Sequence, residues 1–112
     1  MSVKIDIRGE VEILAIDSRL VSADHVRELV DAVKHGIDQG VRKFVVDMSG
    51  ADWINSAGIS ALINSYRHAQ DVEGNLVLAK VNAKVEQILV ITKLSRIFKR
   101  YPTIEVAIKA LG

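Results

Sequence analysis

No cysteine occurs in this 112-residue chain, which excludes a disulfide framework and a thiolate metal site and leaves nothing to argue for an oxidising compartment. The cytoplasm is therefore the expected location. Long apolar runs are missing as well. Ile13-Leu14-Ala15-Ile16 and Ile88-Leu89-Val90-Ile91 fall far short of the ~20 residues that span a bilayer, and the N-terminus has no signal-peptide core, so a soluble protein without membrane insertion is expected. Aromatic residues make up 4% of the chain and the formal net charge is +1. A nucleic-acid binder is normally basic overall and offers stacking rings, so no direct nucleic-acid contact is expected.

The usual signatures of chemistry are absent too. His25, His35 and His68 are isolated from one another and show no metal-ligand spacing with acidic residues, so no metal site is expected. The glycines at 9, 36, 40, 50, 58, 74 and 112 never form a phosphate-cradling loop, and neither a nucleotide nor another cofactor is expected. Ser56 is preceded by Asn55 and followed by Ala57-Gly58, without the G-x-S-x-G frame of a serine hydrolase, and catalysis is not expected.

What is present is enough apolar material, 49% of the residues, for one compact domain spanning 1–112. Val3, Ile5 and Ile7 alternate with Lys4, Asp6 and Arg8, the period of a half-buried strand, and Gly9 turns the chain into a second strand at Val11 to Ile16. Ser22 is placed to cap a helix whose apolar stripe is Val26, Leu29, Val30, Val33 and Ile37, with Asp24 in its first turn and Gly40 beyond its end. Phe44-Val45-Val46 reads as a central strand covered on both faces, and Leu76 to Ala79 repeats the pattern. Between them a helix carries Ile59, Leu62, Ile63 and Tyr66 on one side and ends before Gly74. Asn82 opens a third helix with Val85, Ile88 and Leu89, Arg96 to Lys99 is expected to add a short strand, and Pro102 precedes a last helix with Ile104, Ala107, Ile108 and Leu111 facing inward. The expected architecture is α/β: a mixed sheet of four to five strands, parallel in its later part, with about four helices packed against it.

Three features leave alternatives open. Val90, Ile91 and Leu94 spread around more of the third helix than one core-facing stripe needs, which fits either deep burial or a partner-binding face. Residues 1–75 carry eight Lys/Arg against twelve Asp/Glu (8 − 12 = −4), and 76–112 carry seven against two (7 − 2 = +5). The cluster of Lys93, Arg96, Lys99 and Arg100 is accordingly either a solvated surface or a site for an acidic protein partner. Ser56, at the start of the second helix, either caps that helix through its hydroxyl or presents the hydroxyl for modification.

The stretch Val45 to Ile63 resembles the signature of the STAS domain, and especially of bacterial anti-sigma factor antagonists: a hydrophobic strand ending in Asp47, the pair Ser49-Gly50, and a segment Asn55-Ser56-Ala57-Gly58 opening a helix. The resemblance extends to the hairpin, the Leu20 to Ala23 helix entry, Gly74-Asn75-Leu76, Asn82, Leu94 to Phe98 and the closing helix. It implies the STAS fold and a cytoplasmic regulator of transcription that binds an anti-sigma factor of the serine kinase type, freeing its sigma factor. It further implies that phosphorylation at Ser56 by that kinase ends the contact, with a phosphatase to reverse it. Asn55 stands where the family's commonest pattern has Asp, and Ala57 where it has Ser or Thr. The partner-binding residues implied are Asp24, Trp53, Ile54, Asn55, Ser56, Ala57 and Gly58, with Trp53 either an interface anchor or an aromatic tucked under the loop. The alternative is a STAS adaptor subunit of a transporter or larger signalling assembly, without phosphorylation.

Overall fold

Alternating and β-branched residues form the first four strands where the pattern places them, and the resulting sheet has two unequally covered faces. The computed structural model describes residues 3–16 and 23–112. In chain order these form β1 (Val3–Arg8), β2 (Val11–Ile16), α1 (Ala23–Asp38), β3 (Lys43–Asp47), α2 (Ser56–Asp71), β4 (Asn75–Ala79), α3 (Ala83–Ile91), a 3-10 turn (Leu94–Arg96), β5 (Arg100–Tyr101) and α4 (Ile104–Leu111). The strands lie side by side in the order β1-β2-β3-β4-β5. β1 and β2 are antiparallel and the other neighbours parallel, so the expected mixed sheet has five strands. The expected cap Ser22 and part of the Leu20 to Ala23 helix entry lie outside the described residues.

α1, α2 and α3 cover one face. There Leu14, Ile16, Phe44, Val46, Leu76 and Leu78 of the sheet meet Leu29, Val33, Leu62, Val85 and Leu89, and Phe98 closes the cluster. α4 covers the other face, packing Ile104 and Ala107 on Val11, Ile13, Val45, Val77 and Ala79. β3 is the central strand, and Phe44, Val45 and Val46 are fully buried because helices lie on both sides of it. α1 and α2 also pack on each other. The residues of α2 that bury are Gly58, Ala61, Leu62, Ser65 and Ala69, a largely small-residue stripe that lets two helices approach closely. Ile59, Ile63 and Tyr66 flank it, half-buried.

Two expectations need correction, and one alternative left open by the sequence is narrowed. Ile5 and Ile7 are 51% and 55% exposed, and only Val3 of that alternating set is buried; β1 is the edge strand, beyond the full cover of the helical layer. The strand expected at Arg96 to Lys99 does not form: Arg96 ends the 3-10 turn, Ile97 to Lys99 are turn and irregular chain, and β5 follows at Arg100 and Tyr101. Arg100 shapes that turn. Its Nε and Nη2 donate to the Glu86 carboxylate at 2.8 and 2.9 Å, and its Nη1 donates to the Ser95 and Phe98 carbonyls at 2.8 and 2.6 Å. Phe98 thereby turns inward, edge-on to Tyr66 with ring centroids 5.3 Å apart. Finally, α3 is not deeply buried: Val85 and Leu89 face the core, Val90 is exposed and Ile91 is 77% exposed.

Candidate functional site

Every parallel strand delivers the chain to the same end of the sheet, so α1, α2 and α3 all begin beyond the C-terminal ends of β2, β3 and β4. The segment between β3 and α2 forms the surface of that end. Asp47 Oδ1 accepts the Ser49 N–H at 3.0 Å, and the Met48 N–H donates to the Ala79 carbonyl of β4 at 2.9 Å. The Ala51 N–H then donates back to the Met48 carbonyl at 3.0 Å. Met48, Ala51 and Ile54, three residues apart, drop their side chains into the core, while Ser49, Gly50, Asp52 and Trp53 stay outside. The loop is thus pinned at three points along its length.

Asn55, not Ser56, caps α2: its Oδ1 accepts the Gly58 N–H at 3.1 Å and its carbonyl accepts the Ile59 N–H at 2.9 Å. Asn and Ser are both strong capping residues and stand side by side here, so the sequence pattern cannot choose between them. Because Asn55 takes the cap, Ser56 becomes the first helical residue and is exposed. Its hydroxyl lies where the helix dipole presents positive charge.

Of the other expected site residues, Trp53 is 44% exposed beside this helix start and is not tucked under the loop. Asn55 and Ala57 are half-buried. Ile54 is 1% exposed and Gly58 is buried: Ile54 is a core anchor, and Gly58 belongs to the buried stripe of α2. Asp24 is exposed in the first turn of α1, at the same end of the sheet. The basic cluster is elsewhere. Lys93, Arg96 and Lys99 are exposed past the C-terminal end of α3, and Arg100 is engaged with Glu86.

Sequence reasoning passed over Glu12. It is 5% exposed, its Oε2 has no hydrogen-bond partner among the described residues, and a Cβ on Gly36 would stand 2.7 Å from that oxygen. Burial pushes its carboxyl above the ordinary value, and the charge of His35 opposes that shift. The signal was a lone charge inside the otherwise apolar Val11-Glu12-Ile13-Leu14-Ala15-Ile16. Glu12 borders a cavity of about 320 Å³ with Ile7, Gln39, Arg42 and Lys43, at the opposite end of the sheet from Ser56. Among the described residues no group of three or more His, Cys, Asp or Glu could hold a metal ion, and no helix is long and apolar enough to cross a membrane.

A family model described as the STAS domain matches residues 2–107. A Thermotoga neapolitana protein, named as a homolog of the candidate anti-sigma factor antagonist TM1081, is 32% identical over 73 residues. That alignment spans 65% of this chain and 65% of the relative, so just under two thirds of the relative's length is matched. The crystal structure of TM1081 itself, from Thermotoga maritima, superposes with a TM-score of 0.89 at 25% identity, covering 97% of this chain and 93% of that one. The Bacillus cell fate determinant SpoIIAA in its phosphorylated form shares the fold, with a TM-score of 0.76 at 15% identity, 98% of this chain and 99% of that chain being covered.

Proposed function

We propose that this chain, which belongs to the STAS domain family, is an anti-sigma factor antagonist: unmodified, it binds an anti-sigma factor of the serine kinase type and frees the sigma factor. Phosphorylation at Ser56 ends that binding. The observation that carries this reading is an exposed hydroxyl on the first helical residue, mounted on a loop whose Met48, Ala51 and Ile54 are locked in the core. The names of the relatives support the partner class.

One phosphate is enough to act as a switch. It adds about −1.5 to −2 of charge beside a helix N-terminus, whose dipole favours an anion by roughly 0.3 to 1 kcal/mol, so the fold tolerates it. A partner packed over Ser56 and Trp53 must either desolvate that dianion or meet it with like charge, at a cost of several kcal/mol, and every ~1.4 kcal/mol is tenfold in affinity. Asn55 retains the helix cap without the carboxylate of the commoner pattern.

The test combines the chain with its kinase-type anti-sigma factor, with and without ATP. Mass spectrometry should find one phosphate on Ser56, and the complex should dissociate as it appears. Ser56→Ala should stay bound with ATP present. Ser56→Asp should lose at least tenfold in affinity while its melting temperature stays within a few degrees. A complex that tolerates Ser56→Asp unchanged overturns the switch. An unmodified Ser56 together with co-purification of a transporter would instead establish the adaptor reading.

A further inference from the structure

The two edges of the sheet are built differently. β5 is two residues long and short edges resist pairing. β1 has six residues, contains neither proline nor glycine, and among the described residues is paired on one side only. Directly opposite residues of paired strands share a face. Ile5 stands opposite Leu14 and Ile7 opposite Glu12, which places both on the side of the sheet covered by α1, whereas Lys4 and Asp6 stand opposite Ala15 and Ile13 on the α4 side. Half of each isoleucine is nonetheless in water. A long edge strand with an exposed apolar row is a template for another strand.

The charge pattern of β1 identifies that strand. We propose that β1 pairs antiparallel with β1 of a second copy, about a two-fold axis through Ile5, joining the two sheets edge to edge. A two-fold axis normal to the sheet keeps each face with itself. In the Ile5-centred register, Lys4 of each copy lies opposite Asp6 of the other, and Val3 lies opposite Ile7, so one face carries two ion pairs and the other a row of apolar pairs. The neighbouring registers fail. Centring on Lys4 sets two lysines against each other, and centring on Asp6 sets Asp6 against Asp6 and Lys4 against Arg8. Like charges directly opposite destabilise a strand pair; centring on Ile7 does set Asp6 opposite Arg8 but overlaps only residues 6–8 of each β1, so the Ile5-centred register is the longest alignment in which the strand is complementary to itself. The association does not depend on the reading of Ser56. β1 lies two strands from β3, so one assembly presents two copies of the Ser56 loop.

Sedimentation equilibrium of the full chain over a concentration series tests this. The wild type should be a concentration-dependent dimer, and Lys4→Asp and Asp6→Lys should each weaken it by about tenfold or more, because each replaces two attractive pairs by two repulsive ones. Mixing the two single variants should restore a dimer, now hetero, and the double variant Lys4→Asp/Asp6→Lys should restore self-association. Both side chains are exposed, so circular-dichroism melts should show every variant folded. The chain's lack of cysteine supplies a second readout: oxidised Ile5→Cys should crosslink to itself, whereas Ile7→Cys should not. A monomer at every concentration overturns the proposal. So does a dimer indifferent to both charge reversals, which would place the interface on another surface such as Val90 and Ile91 of α3.

Discussion

Trp53 and Ile54 are neighbours in sequence with opposite duties: one projects into solvent beside the helix start, the other is 1% exposed in the core. Truncating them should therefore separate binding from stability. Ile54→Ala should cost about 2–5 kcal/mol of unfolding free energy by leaving a cavity, readable by denaturant titration. Trp53→Ala should change stability by well under that, and should instead weaken partner binding about tenfold or more. The motif Asn55-Ser56-Ala57-Gly58 marked the place in the sequence. It could not say which neighbour is inward, because three-residue spacing of buried positions in an irregular loop follows no regular secondary-structure period. The same limit explains why Asn55 and Ser56 were indistinguishable as caps: propensity ranks them together, and only the geometry of the Gly58 N–H assigns the role.

At the scale of elements, strands and helices were legible wherever periodicity was strong, as in α1 and the Phe44 to Val46 strand. Misjudgements arose where an element's environment is set from far away. β1 has the alternation of a half-buried strand, yet its coverage depends on how far α1 reaches across the sheet. The turn at Leu94 to Arg96 is shaped by Arg100 reaching Glu86 from fourteen positions downstream. At the junction of α2 with β4 the helix ends before Gly74 as the pattern indicates, and the left-handed residue there is Glu73, with φ of 59°. Gly74 serves close approach instead. Its N–H donates to Ala69 at 2.8 Å, and a Cβ at this position would meet the Arg42 carbonyl oxygen at 2.5 Å. Gly74→Ala should cost about 1–3 kcal/mol through that clash with backbone, whereas Glu73→Ala should change little; thermal melts of the pair make the comparison.

For the whole molecule, the parallel strands send the Ser56 loop to one end of the sheet and the Glu12 cavity to the other. The fold class was readable from the order of patterns along the chain; the cavity was not, since it forms where the starts of β2 and β3 meet the end of α1. Glu12 makes global stability depend on pH in a definite direction. Its carboxyl is raised above its unfolded value, first by burial, so the folded chain holds that proton more tightly than the unfolded chain. The stabilising contribution is complete below the unfolded value and is lost as pH rises through the folded one. Glu12→Gln, which removes the buried charge, should therefore be more stable than the wild type by about 1 kcal/mol near pH 7, and the gain should vanish towards pH 4. Chemical denaturation at both pH values measures it, and a gain that grows on acidification would reverse the assignment.

The three-point pinning of the loop through Met48, Ala51 and Ile54 has a calorimetric signature. A recognition segment that is already ordered surrenders no chain freedom when a partner arrives. The heat-capacity change of complex formation should then follow from the apolar surface covered at the junction alone, without the larger negative contribution that accompanies coupled folding.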